Sequence, residues 1–269
     1  MDRPLIIGID VDNVLNNFFP LWVDMYNKEF GKNIDSTLVE DYDLRKIFPD
    51  DDEWEKFYSI TKKEEFYQNL KSDPVARIVI QEILEKSNGK CLLITGTPPE
   101  MAPRKISWIN DNFSSISNEN VLFVPEKSKK YVFVDLLIED NPETLRATRT
   151  TGILLNKNYN IKYEFYDAPH IHRVNDWEDI RNILVEKYNL LPQECPELDK
   201  YKESFGAPTL NNSYVENTDS GKLIDKLLKC KTKQDFANLL DPYFKRIYDA
   251  GYNSALGDLA QHMKELDKE

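Results

Sequence analysis

No apolar run in this 269-residue chain approaches the roughly 20 residues that a membrane helix requires. The longest, at 5–9, 91–94 and 132–138, have the length of buried strands. The opening MDRPLIIGID reaches acidic residues too soon for a secretory leader; it reads as a first core strand, and a cytoplasmic location is expected. Cysteine is sparse. Cys91, Cys195 and Cys230 are odd in number and widely spaced, and Cys91 sits in an apolar run, so neither a disulfide framework nor a zinc site is implied. His170 and His172 have an i, i+2 spacing but no cysteine or third histidine nearby, and read as surface or supporting groups. Basic charge is also short: 35 Lys and Arg face 47 Asp and Glu, a net charge of −12. Such a field repels polyanions and argues against binding a nucleic-acid polymer. It leaves room for a small phosphorylated ligand, because one bound cation and one or two lysines reverse the potential of a pocket. No internal repeat or low-complexity tract is present.

What the chain does have is 31.5 kDa with 41% hydrophobic residues and a mean hydropathy of −0.58, enough to bury a continuous core. PLIIGI (4–9) predicts a buried strand, and the apolar residues from Phe18 to Phe30 recur at helical spacing ahead of Gly31, a helix-ending residue. Residues 35–73, rich in charge and aromatics, predict short helices. Beyond Asp73-Pro74 come helix 75–86, strand 91–95, helix 98–113, strand 120–124, strand 131–140, a helix opened by Asn141-Pro142, strand 152–156 and helix 176–189. Alternation at these lengths argues for an α/β fold, a doubly wound parallel sheet covered on both faces. Near 190–196 two prolines bracket a polar stretch and mark a boundary. Residues 221–266 then carry apolar residues at helical spacing, predicting two or three amphipathic helices that pack on the body or on a partner, including a second copy.

In open parallel sheets ligands sit beyond the carboxyl ends of the strands. Three predicted strands end informatively there: Asp10-Val11-Asp12, Thr95-Gly96-Thr97 and Glu139-Asp140. Carboxylates at i and i+2 of an extended segment point the same way, so Asp10 and Asp12 can address one site, which Asp140 could complete. Crowded carboxylates repel unless a divalent cation neutralises them, and oxygen-only ligands suit Mg²⁺. This set supports phosphoryl transfer. Asp10 would attack phosphorus, Asp12 would protonate the leaving oxygen and then activate water, and Thr95 with the following loop would hold phosphate oxygens. A lysine from 127–130 would balance the charge.

These residues resemble the haloacid dehalogenase superfamily of phosphotransferases, and more closely its 5′(3′)-deoxyribonucleotidase family. IDVDNVLNNF is similar to the family's first motif, with Asp10, Asp12 and Phe18, and LLITGTP to its second, with Thr95. KKYVFVDLLIEDN resembles the segment holding its lysine, ten residues before an acidic pair, which selects Lys129 over Lys127 and Lys130. The acidic pair matches Glu139-Asp140, and HRVNDWEDI is similar to a later arginine-valine and tryptophan pattern with Arg173, Val174 and Trp177. The resemblance spans about residues 4–189. It implies a Mg²⁺-dependent phosphatase acting on nucleoside monophosphates, with Asp10, Asp12 and Asp140 at the metal, the backbone carbonyl of Asp12 in the metal shell, and Phe18 against the base. It also implies a catalytic core of residues 1–17 and 74–190, a helical cap of 18–73, and an extension, 191–269, outside the match.

Two positions depart from the family pattern. Asn13 stands where glycine is usual, and asparagine tolerates positive φ. Thr95-Gly96-Thr97 replaces adjacent hydroxyl residues, leaving open whether Thr97 reaches phosphate. The rival expectations are a phosphatase for another small phosphomonoester, and a metal-binding interaction protein without turnover.

Overall fold

The computed structural model describes residues 3–204 except 149, 166 and 167. The chain divides into two compact units, Met1–Leu198 and Asp199–Glu269. Of the second, only the end of the helix Pro196–Ser204 is described. The helices predicted across 221–266, and Cys230 with them, lie outside the described residues.

The first unit runs β1 (Leu5–Asp10), α1 (Phe18–Phe30), α2 (Asp51–Thr61), α3 (Glu64–Asn69), α4 (Pro74–Lys86), β2 (Gly89–Thr95), α5 (Ala102–Asn112) and β3 (Val121–Phe123). It continues with β4 (Leu136–Glu139), α6 (Pro142–Ala147), β5 (Thr151–Leu155), β6 (Ile171–Val174) and α7 (Trp177–Glu186). All six strands are parallel, in the order β3-β2-β1-β4-β5-β6. The order reverses between β1 and β4, which makes their carboxyl ends the crevice where ligands bind such sheets.

The period of two sorts each strand's side chains onto opposite faces. Ile7, Ile9, Leu93, Leu136, Ile138 and Ile153 join one buried cluster with α4 and α7, while Ile94, Leu137 and Leu154 join a second with Leu145 and Val134. The first face is covered by α4, α5 and α7, the second by α6 and the extended segment 132–134. Helix ends follow local chemistry. Gly31 closes α1 in the left-handed region at φ 61°, the Asp73 carboxylate accepts from the amides of Val75 and Ala76 to start α4, and Asn141 does the same for α6.

Two expectations are corrected and one strand is added. The strand predicted over 131–140 is confined to β4: residues 126–131 form a 3-10 turn and Tyr131 and Phe133 are 77% and 81% exposed. Asp135 then joins β1, its amide donating to Ile6 O and its carboxylate accepting from Ile6 N, both at 2.8 Å. The helix predicted over 98–113 starts only at Ala102, because Pro98 and Pro99 disfavour helical conformation before them and form a turn instead. Strand β6 was not anticipated. Half of IHRV is polar, and its apolar content falls short of a buried-strand signal because it is an edge strand paired only with β5.

Candidate active site

Asp10 ends β1, Thr95 ends β2, and Glu139 ends β4 with Asp140 immediately after it, so three neighbouring strands deliver their polar termini to one place. The fourth contribution comes from the 3-10 turn at 126–131. Lys129 on that turn is buried, and its Nζ lies 2.7 Å from Asp10 Oδ1, 3.0 Å from Glu126 Oε2 and 3.4 Å from Glu139 Oε2. Neither Lys127 nor Lys130 makes these contacts; the Lys130 ammonium instead sits over the Tyr131 ring. Carboxylate oxygens of Asp10, Glu139 and Asp140, all buried, lie within 4.8 Å of one another.

The electrostatics follow from burial. Burial, only partly offset by Lys129 and reinforced by Asp140, Glu126 and Asp12, pushes the Asp10 carboxyl up to about 7. Burial and Asp10 drive Glu139 well above its ordinary range, and burial raises Asp140 against the hydrogen bond it accepts from the Tyr159 hydroxyl. Burial alone would lower the Lys129 ammonium, but Asp10, Glu139, Glu126 and Tyr42 together raise it well above its ordinary value. Three carboxyls around one ammonium are a site short of positive charge. Within it, Glu139 is already committed, its Oε1 accepting from the amides of Asp140 and Asn141 at 3.1 and 3.2 Å.

Asp12 sits beside this group, and its carboxylate faces another cation. Lys105, buried on α5, donates to Asp12 Oδ2 and approaches Thr95 Oγ1 at 3.3 Å. The other oxygen, Asp12 Oδ1, is buried and has no hydrogen-bond partner among the described residues. Such an orphaned acceptor, next to raised carboxyls supplied by oxygen-only donors, fits a hard divalent cation. Asn13 has φ 61°, and its Oδ1 accepts from Phe19 N at 2.7 Å, so the turn survives without glycine. Thr95 and Thr97 bring their hydroxyls within 3.1 Å of each other. Between them, a Cβ on Gly96 would meet the Glu126 carboxylate and lie 3.3 Å from Glu126 Cα, so a larger residue there would displace the Glu126 side chain.

A cavity of about 560 Å³ opens over these groups. Asp10, Asp12, Lys129 and Asp140 line it from the sheet side, while Phe18, Trp22, Tyr42, Arg45, Trp54 and Tyr58 line it from the segment between β1 and α4. Phe18 packs edge-on to Trp22 and Phe66 at 5.7 and 4.9 Å, and the Arg45 guanidinium lies 5.1 Å from the Trp54 ring centre. Other aromatics of that segment, Phe48, Phe57 and Phe66, are buried in the core cluster.

Residues 3–189 match the family described as 5′ nucleotidase, deoxy (pyrimidine), cytosolic type C protein. The chain belongs to this family. As a member it is a phosphatase of the nucleotidase type. It is 28% identical over 160 residues to the 5′(3′)-deoxyribonucleotidase of Clostridium acetobutylicum, a match that covers 60% of this chain and 86% of that protein. Among solved structures, a haloacid dehalogenase family hydrolase from Deinococcus radiodurans aligns with a TM-score of 0.47 and 12% identity over 71% of this chain and all of that one. A haloacid dehalogenase-like hydrolase from Streptococcus pneumoniae aligns with a TM-score of 0.47 and 11% identity over 68% of this chain and all of that one.

Three residues of this nucleotidase-family site escaped sequence reading. Lys105 carried a signal, since it lies on the apolar stripe Met101, Lys105, Trp108, Ile109 of α5, where a lysine must find a buried partner. Glu126 looks like part of a solvated charge run, and Tyr159, in the loop NKNYN, has no local pattern to announce it. Arg173, singled out in sequence, lies away from the cavity and binds the carbonyl of Asn160 at 2.8 Å, while the Trp177 indole donates to Val14 O at 2.9 Å behind the first motif.

Proposed function

We propose that the chain is a Mg²⁺-dependent 5′-nucleotidase that hydrolyses nucleoside or deoxynucleoside monophosphates through an aspartyl-phosphate intermediate. The observation that carries this reading is the convergence of Asp10, Lys129 and Asp140 beneath a cavity roofed by aromatic rings. Residues 1–17 and 74–190 are the catalytic core in this reading, and 18–73 a cap that closes the cavity and excludes water.

Asp10 is the nucleophile: a carboxylate oxygen bonds to phosphorus as the ester P–O bond breaks, and Asp12 delivers a proton to the departing alkoxide. In the second half Asp12 takes a proton from water, whose oxygen bonds to phosphorus as Asp10 is released with inorganic phosphate. Thr95, Gly96 and Thr97 receive the phosphate oxygens, and Lys129 offsets the charge that Asp10 and the phosphate share. Lys105 fixes the Asp12 carboxylate. Asp10, Asp140 and the backbone carbonyl of Asp12 would hold Mg²⁺, which when bound neutralises charge between the nucleophile and the phosphate. Phe18 offers a ring to the base, as aromatic faces readily stack on planar ligands.

Phosphate release should be measured from a panel of ribo- and deoxynucleoside monophosphates and sugar phosphates, with Mg²⁺ and with chelator. Metal-dependent release concentrated on nucleoside monophosphates and abolished by Asp10→Asn is the expected result. Equal release from every ester would defeat the nucleotide assignment, and substantial activity in Asp10→Asn would defeat the mechanism.

A further inference from the structure

A second cavity, of about 480 Å³, lies behind the first and shares Asn13, Phe19 and Tyr159 with it as wall residues. It sits where the chain enters and leaves the cap. Asn17 N donates to Lys71 O at 3.2 Å, Asp73 N donates to Leu15 O at 2.8 Å, and Asn16 and Ser72 form a β-bridge, so both linkers are laced together at its wall. Ser36 reaches it from the cap and Lys157 from the loop after β5.

The unusual group is Lys157. Its side chain is half-buried, and among the described residues its ammonium forms no hydrogen bond or ion pair. Burial lowers its proton affinity, with Asp140 and Asp73 opposing at a distance. Asp73 also lines the cavity, and its Oδ1 accepts from the first amides of α4. Lys71 adds a second cation at the rim. The Ser36 and Ser72 hydroxyls have no side-chain hydrogen bond among the described residues. The Asn16 amide Nδ2 is a buried donor without a partner among the described residues, its Oδ1 already accepting from Asn13 N and Phe18 N. The cavity thus gathers two ammonium groups and several donors against the one carboxylate of Asp73, in a chain whose net charge is −12.

We infer that this hinge cavity is a second anion site that binds a phosphate dianion, either free inorganic phosphate or the phosphate group of a nucleotide, through Lys157 and the hydroxyls of Ser36 and Ser72. Because its donors come from the cap, a linker and the core, the bound anion ties the cap to the core in one orientation. This inference concerns binding alone and stands apart from the catalytic reading.

The test is calorimetric titration of the full chain with inorganic phosphate in the presence of chelator, at ionic strength matched with chloride. Without added cation the acidic catalytic pocket repels phosphate, which leaves the hinge cavity as the favoured site. Saturable binding of one phosphate per chain is expected, weakened about tenfold or more by Lys157→Gln and retained in Lys157→Arg. Should Lys157→Gln fail to fold, the Ser36→Ala/Ser72→Ala double variant decides, with weakening of about tenfold expected from two lost hydrogen bonds. A parallel titration with thymidine monophosphate identifies the source: Lys157-dependent binding tighter than that of phosphate points to the nucleotide, and weaker binding points to free phosphate. Absence of saturable phosphate binding, or equal affinity in wild type and a folded Lys157→Gln, overturns the inference.

Discussion

In the proposed mechanism Asp10 must be ionised to attack phosphorus, yet burial among carboxyls holds its proton on until about pH 7 in the metal-free protein. The sign of the resulting linkage is opposite to that of an ordinary ion-paired aspartate. Below its unfolded value of 3.8 the carboxyl is neutral in both states and costs nothing. Between there and about 7 the unfolded chain ionises while the native one does not, so stability falls with rising pH; above about 7 the loss is constant. A divalent cation must displace those protons to bind. Adding Mg²⁺ should therefore raise Tm more at pH 8 than at pH 5, and equal shifts at both would contradict a cation held by Asp10 and Asp140. The acids and Lys129 were legible because strand ends are legible and because the family resemblance fixes an offset of ten residues. Tyr159 was not, since its hydrogen bond to Asp140 depends on how the loop after β5 folds back.

Among the elements, α6 shows how much a short helix can depend on one side chain. Asn141 Oδ1 accepts from Glu143 N and Thr144 N at 2.9 and 3.3 Å, and its Nδ2 donates to Glu126 Oε1 at 3.1 Å. Glu126 in turn contacts Lys129, so the cap of α6 also steadies the turn that carries the lysine. Asn141→Ala should cost about 1 kcal/mol in chemical denaturation and also lower kcat. A stability loss with unchanged kcat would confine Asn141 to capping. This helix start was readable from Asn141-Pro142. The turn before β4 was not, because Tyr131, Val132, Phe133 and Val134 are as apolar as a strand. Only tertiary pairing of Asp135 with Ile6 and Arg3 ends the turn where it does.

For the first unit as a whole, a buried ion pair joins two helices that contribute nothing to the cavity lining. Arg181 on α7 pairs with Glu82 on α4, Nε to Oε2 at 2.8 Å and Nη2 to Oε1 at 2.9 Å, with both side chains buried. The same guanidinium donates to Pro192 O at 2.7 Å and Gln193 O at 3.3 Å, fastening the chain beyond α7 to both helices. Arg181→Met strands a buried carboxylate and should cost about 3–5 kcal/mol, most of it recovered in Arg181→Met/Glu82→Met. A mild single variant, or a double variant no better than it, would show that the pair is not the fastening. Both helices are readable from periodicity but their pairing is not, because a glutamate and an arginine nearly a hundred residues apart become partners only once α4 and α7 pack side by side on one face of the sheet.

The linkers at Leu15–Asn17 and Lys71–Asp73 have one further consequence. The chain leaves the sheet and returns to it through a single doorway, so whatever lies beyond the doorway contributes nothing to strand register. Under the proposed division the cap, residues 18–73, is in that sense a replaceable cassette. A change in its length or aromatic lining would redraw one wall of the cavity without moving the acids at the strand ends or the lysine on its turn.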